Sequence, residues 1–263
     1  ISGNKWRKLK FNLIEARKQQ KQHILSFGGA YSNHIHALAA AGFYFDFKTT
    51  AIIRGEPHYA TNPTLKQAQK WGMKLHFVTR NEYRERSQTE YLQQLQSRFP
   101  DAVIVPEGGS NVQALTGVSE LCNEINVQCN NKVNHIVTAT GSGGTLAGLI
   151  AGFSNQNNNS STKITGIAVL KGADYLLENI NKLLQEADIQ VNNPWQLQTQ
   201  FHGGGYAKVS PQLSTFCQQF EQQTSIPVEP IYTGKMFYGL FELIKQDYFN
   251  QGDNIIALHT GGL

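Results

Sequence analysis

Two hydrophobic patterns alternate along the chain. Short apolar runs bounded by glycine or polar residues recur as "HILSFGG" (23–29), "TTAIIRG" (49–55), "KLHFVT" (74–79), "AVIVPEGG" (102–109), "NHIVTAT" (134–140), "KITGIAVL" (163–170) and "IIALHTGG" (255–262). Their length and β-branched content predict strands. Longer amphipathic or small-residue stretches lie between them and predict helices: "FNLIEARKQQKQ" (11–22), "SNHIHALAAAGFYF" (32–45), "NPTLKQAQKWG" (62–72), "EYRERSQTEYLQQLQSRF" (82–99), "VQALTGVSELCNEI" (112–125) and "LAGLIAGF" (146–153). Ser32 stands at an N-cap. This rhythm predicts an α/β fold with open, mostly parallel sheets covered by helices on both faces. The interrupted order of strands suggests two domains. Residues 22–126 form a smaller inserted domain, and residues 1–21 with 127–263 form a larger one. The polar stretch "SNQNNNSST" (154–162) reads as a surface loop rather than a linker.

Composition narrows the function classes. The 263 residues are 40% hydrophobic and 16% charged, which fits a globular chain with a sizeable core. The net charge of +4 is small and spread out, so a nucleic-acid partner is not expected. No apolar run is long enough for a transmembrane helix, and no membrane partner is expected. The cysteines Cys122, Cys129 and Cys217 are odd in number and lack metal-type spacing, which points to a reduced, cytoplasmic protein. His34 and His36 stand two apart, on different faces of a helix, and no HExxH pattern occurs, so no metal site is assigned.

The strongest local signal is "TATGSGGTLAGL" (138–149), an apolar strand running through a tight glycine turn into a helix. Such a turn aims backbone N–H groups at one point, where the helix dipole adds positive potential. Gly141, Gly143 and Gly144 let the backbone approach an anion, and Ser142 and Thr145 add hydroxyl donors. The P-loop lysine is absent, and a dinucleotide fingerprint would need glycine at Leu146, so a phosphate monoester fits better. "SFGGAYSNH" (26–34) repeats the logic with Gly28, Gly29 and Ser32, on a scale suited to a carboxylate. The opening stretch places Lys5, Arg7, Lys8 and Lys10 around Trp6. It reads as a basic tail, as the solvated face of a helix, or as a lysine held for chemistry.

"SGNKWRKL", "GGAYSNH", "TGSGGTLAGL", "EPIYTGK" and "HTGG" occur together in the order seen in pyridoxal-phosphate enzymes of fold type II. They resemble most the D-cysteine desulfhydrase and 1-aminocyclopropane-1-carboxylate (ACC) deaminase family, over nearly the whole chain. The resemblance implies a tryptophan-synthase-β-like fold, pyridoxal 5′-phosphate as cofactor, a small amino-acid substrate and a homodimer. It implies that Lys5 links covalently to the cofactor and that Lys8, one helical turn on, meets the phosphate; Arg7 and Lys10 keep the solvated reading. Asn33 is implied to bond the ring hydroxyl, Ser32 to hold the substrate carboxylate, and Thr140, Gly141, Ser142, Gly143, Gly144 and Thr145 to hold the phosphate. Tyr232 is implied to face the substrate, and Thr233 and Thr260 the pyridine nitrogen. Tyr206 takes the place of a further active-site tyrosine, although the "AKVSPQ" after it departs from the family. By the same comparison the chain starts and stops short of family members. The resemblance places the cofactor at strand C-termini, in a cleft between two domains.

Two features point to the desulfhydrase branch. ACC deaminases carry glutamate where this chain has Thr233, and a neutral hydroxyl there supports an unprotonated ring, a weaker electron sink. The phosphate loop "GSGGTLAG" is also the longer of the family's two forms. Elimination from D-cysteine tolerates a weak sink, whereas opening a cyclopropane does not. ACC deamination and D-serine dehydration are the alternatives among enzymes, and a catalytically idle cofactor-binding paralogue is the alternative outside them. Tyr31, Ile35 and His36 depart from the family's usual residues and mark a non-standard pocket wall.

Overall fold

Leu9, Leu13 and Ala16 recur at helical spacing and are buried on one face, while Arg17 and Lys18 complement the dipole in the last turn. They define helix α1 (Lys5–Lys18), which starts at Lys5 rather than at Phe11. The computed structural model describes residues 3–155 and 161–262. After α1 come β1 (His23–Gly29), α2 (Asn33–Phe45), β2 (Lys48–Arg54), α3 (Pro63–Lys70), β3 (Lys74–Val78), α4 (Arg80–Arg84), α5 (Thr89–Arg98) and β4 (Ala102–Val105). Then follow α6 (Val112–Gln128), β5 (His135–Thr140), α7 (Gly144–Ser154), β6 (Lys163–Ala168), α8 (Tyr175–Glu186), β7 (Trp195–Gln198), α9 (Pro211–Thr224), α10 (Thr233–Lys245) and β8 (Ile255–Leu258).

Two local expectations change. The helix predicted over 82–99 is two helices, because Gln88 is extended (φ −78°, ψ 138°) and a new helix starts at Thr89. "PEGG" leaves β4, since Pro106 has no N–H to pair and Gly108 and Gly109 take positive φ (70° and 67°) in a turn. Elements α8, β7, α9 and α10 carry no assignment from the patterns above. Residues 156–160 of the polar loop lie outside the described residues.

The chain divides into two compact units, Ile1–Ala114 and Leu115–Leu263. This division differs from the expected boundaries at 21/22 and 126/127. Helix α1 belongs to the first unit because Leu9, Leu13 and Ala16 share a core with Ile24, Ile35 and Leu38. Helix α6 belongs to the second because it packs on α7 at glycines: a Cβ on Gly148 would lie 2.5 Å from Val118 Cβ, and one on Gly152 would lie 2.5 Å from Cys122 Sγ.

Each unit holds one four-stranded parallel sheet, in the orders β3-β2-β1-β4 and β7-β6-β5-β8. Relative to the chain direction the two orders are the same, 3-2-1-4. In such a sheet the order reverses between the first strand and the fourth, and the loops leaving those strands diverge to open a crevice at their carboxyl ends. In the first unit these loops are Ala30–Ser32, after β1, and 106–111, after β4. In the second they are Gly141–Gly143, after β5, and the residues following Leu258. Three of the five motifs singled out in the sequence, "GGAYSNH", "TGSGGTLAGL" and "HTGG", fall on these loops; "SGNKWRKL" opens α1 and "EPIYTGK" leads into α10.

Candidate active site

In the first unit, Ser32 caps α2, its Oγ accepting the Ile35 N–H at 3.3 Å, and Asn33 opens the helix. Gly28 is needed beneath them, since a Cβ there would lie 2.4 Å from Ile35 Cγ1 and 2.9 Å from Ser32 Oγ. Lys8 is fully buried and its Nζ donates to Ser110 Oγ at 3.0 Å, which brings α1 to the loop after β4. Burial, and then the charge of Lys5, push the Lys8 ammonium well below the usual lysine range. Lys5, on the first turn of α1, is half-buried. A further pair ties α1 to the same loop: Asn12 Nδ2 donates to Asn111 Oδ1 at 3.1 Å, and Asn111 Nδ2 donates to Asn12 Oδ1 at 2.7 Å.

His34 was not picked out for this cluster. It is buried, its Nε2 lies 2.8 Å from Ser26 Oγ, and Ser26 Oγ donates its own proton to Val105 O at 2.7 Å. Nε2 must therefore carry the proton, which leaves a lone pair on Nδ1. Burial, with Lys8 and Lys5 nearby, holds the imidazole well below its ordinary pKa, so it is neutral. A neutral buried histidine must gain a proton on unfolding in acid. Its contribution is fully present above pH 6.5 and is lost as pH falls below that value. Unfolding free energy is expected to drop below pH 6.5 by up to about 1.4 kcal/mol per pH unit. His34→Gln, which keeps an N–H toward Ser26, should flatten that slope in urea unfolding measured from pH 7.5 to 5; an unchanged slope contradicts the assignment.

The supposed pocket wall is not one surface. Ile35 is core, His36 packs its ring against Trp71 at 4.9 Å, and Tyr31 is exposed.

In the second unit, β5 runs directly into the glycine turn. Gly143 has φ 81° and caps α7 without a side chain, so the N–H groups of its first turn face outward from a helix that is buried along its whole length. A Cβ on Gly143 would lie 2.9 Å from Ile180 Cγ1, and one on Gly141 would lie 3.2 Å from the Tyr232 ring. Ser142, Gly144 and Thr145 belong to the same turn. Thr140 is the last residue of β5, just before the turn; its Oγ1 is buried with no hydrogen-bond partner among the described residues and lies 2.6 Å from where a Cβ on Gly166 would stand.

Tyr232 leads into α10, and its ring stands edge-on to Tyr206 at 6.2 Å. Thr233 is the first residue of α10 and is buried. Thr260 follows β8, the neighbour of β5. Two residues of "EPIYTGK" without an assigned role organise this corner. Glu229 accepts the N–H groups of Ile231 (2.6 Å), Tyr232 (2.9 Å) and Thr233 (2.8 Å), and the Thr233 hydroxyl at 3.2 Å. Burial raises its pKa, and these bonds, those of Thr233 first, pull it back. Lys235, buried, donates to Gly205 O at 2.7 Å and Val169 O at 3.2 Å, and so fixes the loop carrying Tyr206. Both lie inside the motif, but their spacing alone does not say which backbone groups they meet.

Among the described residues no group of three or more His, Cys, Asp or Glu could hold a metal, and no helix is long and apolar enough to cross a membrane.

Two parallel α/β units, one with a glycine turn at its switch point and the other with the buried Lys8 and the half-buried Lys5 on α1, define a class of cofactor enzyme. The chain belongs to the family of pyridoxal-phosphate-dependent enzymes, whose pattern it matches over residues 1–261. It is 30% identical to the bifunctional D-cysteine desulfhydrase/1-aminocyclopropane-1-carboxylate deaminase of Arabidopsis thaliana, a mitochondrial protein, over 100% of this chain and 69% of that one. Among solved structures it is similar to an ACC deaminase homologue (TM-score 0.86, 26% identity, 100% of this chain and 80% of that one). A hydrogen sulfide-producing enzyme of Fusobacterium nucleatum shares the fold (TM-score 0.70, 15% identity, 98% and 85%). The protein is therefore a pyridoxal-phosphate-dependent enzyme of fold type II that acts on an amino acid. The glycine turn fits the cofactor's phosphate: a positive-φ glycine at a cap without a side chain leaves the N–H donors of the first turn of α7 for an anion.

Proposed function

We propose that this enzyme eliminates the β-substituent of a small D-amino acid, D-cysteine first. The observation that carries the reading is the cradle at the head of α7, Gly141–Thr145, in the longer of the family's two loop forms. The Arabidopsis relative, named for the desulfhydrase activity and alike over the full chain, supports the substrate. Pyridoxal phosphate, when bound, supplies an electron sink for the α-carbon. Lys5 is the residue that links to it, and its Nζ takes the α-proton. Lys8 and the turn of Gly141, Ser142, Gly143, Gly144 and Thr145 hold the phosphate. Thr140, the last residue of β5, belongs to the same set; its buried hydroxyl has no hydrogen-bond partner among the described residues. Asn33 meets the ring hydroxyl, and Thr233 the ring nitrogen, with Thr260 beside it. Ser32, at the N-terminus of α2, holds the substrate carboxylate, where the helix dipole favours an anion. Tyr232 faces the substrate and Tyr206 supports it. The sum is D-cysteine and water to pyruvate, ammonia and hydrogen sulfide. A homodimer belongs to the same reading; Phe43 and Tyr44, both exposed on α2, are large apolar side chains suited to an interface, and light scattering tests it.

ACC deamination is the second reading, favoured by the other activity in the Arabidopsis relative's name. A panel of D-cysteine, L-cysteine, D-serine, β-chloro-D-alanine and ACC separates them by assay of sulfide, pyruvate and 2-oxobutyrate. D-cysteine is expected to give the highest kcat/KM, with ACC at least about tenfold lower. Faster turnover of ACC overturns the substrate assignment, and no turnover of any member points to an idle paralogue.

A further inference from the structure

The loop after β4 touches Lys8 at one end and is gripped at the other. The grip is on Glu107. The Tyr83 hydroxyl donates to Glu107 Oε1 at 2.7 Å, and Arg86 Nε donates to Oε2 at 2.6 Å, so both carboxylate oxygens have a donor. The clamp is itself braced. Arg86 lies over the Tyr83 ring at 4.9 Å and donates from Nη1 to Tyr83 O at 3.2 Å. The ring is buried and meets Phe27 of β1 edge-on at 6.5 Å. Burial, and then the Glu107 carboxylate, push the phenol's pKa up, so it stays a donor.

We propose that Glu107 is a positioning residue for the cofactor's phosphate: it fixes the loop after β4 so that Ser110 aims the Lys8 ammonium. The inference rests on the reading above that Lys8 meets the phosphate.

Geometry carries the link. Only Gly108 and Gly109 separate Glu107 from Ser110. Both take positive φ (70° and 67°), and neither has a side chain to anchor it, so the segment is held by its ends. At one end Ser110 Oγ accepts the Lys8 Nζ proton at 3.0 Å; at the other stands the clamped Glu107. Between them the backbone packs closely: a Cβ on Gly109 would lie 3.2 Å from His34 Cε1 and 3.6 Å from Lys8 Cβ. A shift of the loop therefore moves the oxygen that orients Lys8. A buried ammonium deprived of that oxygen turns elsewhere or sheds its proton, and either change weakens its hold on a phosphate. The Glu107–Arg86 pair is half-exposed, so it contributes more by placing the loop than by stabilising the fold.

The test compares pyridoxal 5′-phosphate with pyridoxal, each titrated into the cofactor-free enzyme. Both carry the aldehyde that links to Lys5, and they differ in the phosphate, so the ratio of their affinities reads the phosphate's contribution. Glu107→Ala and Ser110→Ala should each reduce the preference for the phosphorylated form by about tenfold, the worth of one charge-assisted hydrogen bond. The double variant should lose no more than the larger single loss, because both act on one contact. A merely structural role would lower the Tm and weaken both forms alike. Tyr83→Phe keeps the ring, removes one bond of the clamp, and should reduce the preference by about threefold; it serves as the test if Glu107→Ala does not fold. An unchanged preference in folded Glu107→Ala or Tyr83→Phe overturns the proposal, and so do losses that multiply in the double variant. Failure of the underlying reading looks different: Lys8→Met, expected to reduce the preference by at least about tenfold, then leaves it unchanged, and the proposal falls with the reading.

Discussion

Lys5→Ala is expected to lose the visible absorbance of the lysine-linked cofactor and at least about 10³-fold in kcat/KM. General-base catalysis alone contributes about 10²- to 10⁴-fold, and the same substitution also removes the covalent link. The fold should survive. Lys5 sits half-buried on the first turn of α1, and alanine is the best helix former, so stability should change by no more than about 0.5 kcal/mol. Cofactor binding through the phosphate should persist, weakened, in equilibrium dialysis. Loss of activity with an intact far-ultraviolet spectrum and an unchanged Tm is the expected combination. Full activity would end the assignment of Lys5 and the reading built on it.

Gly143→Val should damage both the fold and the phosphate site. Gly143 has φ 81°, where a β-branched residue is strained by about 1–2 kcal/mol. Its Cβ would also stand 2.9 Å from Ile180 Cγ1, in a core with no slack, adding about 1–3 kcal/mol of overpacking. Together about 3 kcal/mol should lower the Tm of the cofactor-free protein by roughly 6–12 °C. Because the strain lies at the cap of α7, cofactor affinity should fall beyond what stability predicts. Calorimetry of the apo-protein and titration with pyridoxal phosphate separate the effects. A variant with wild-type Tm and affinity would show that the turn is not held as described.

Much of this molecule could be read from residue order alone. Periodicity marks strands and helices because a half-buried strand and an amphipathic helix must place apolar side chains at fixed spacings. The run from β5 through Gly141–Gly143 into α7 is legible for the same reason: only glycine takes a positive φ cheaply at a helix cap, and the pattern is continuous in the chain. The placement of Ser32 and Asn33 at a helix start is equally local.

What the order of residues left open depends on contacts far apart in sequence. That α1 belongs with the first sheet follows from Leu9, Leu13 and Ala16 fitting against Ile24 and Ile35, a matter of shape that no local pattern encodes. That the Thr140 hydroxyl is buried with no partner among the described residues follows from packing at the end of β5, beside Gly166. The tautomer of His34 is decided by Ser26 and Val105, from two different strands. The Thr233 hydroxyl is held by a carboxylate four residues away that folds back onto the first turn of α10. The sequence by itself determined which elements form and which residue types stand at their ends, because those depend on neighbours along the chain. The tertiary structure alone decided which way their hydrogens and lone pairs point, because a buried polar group takes its direction from whatever partner packing brings to it.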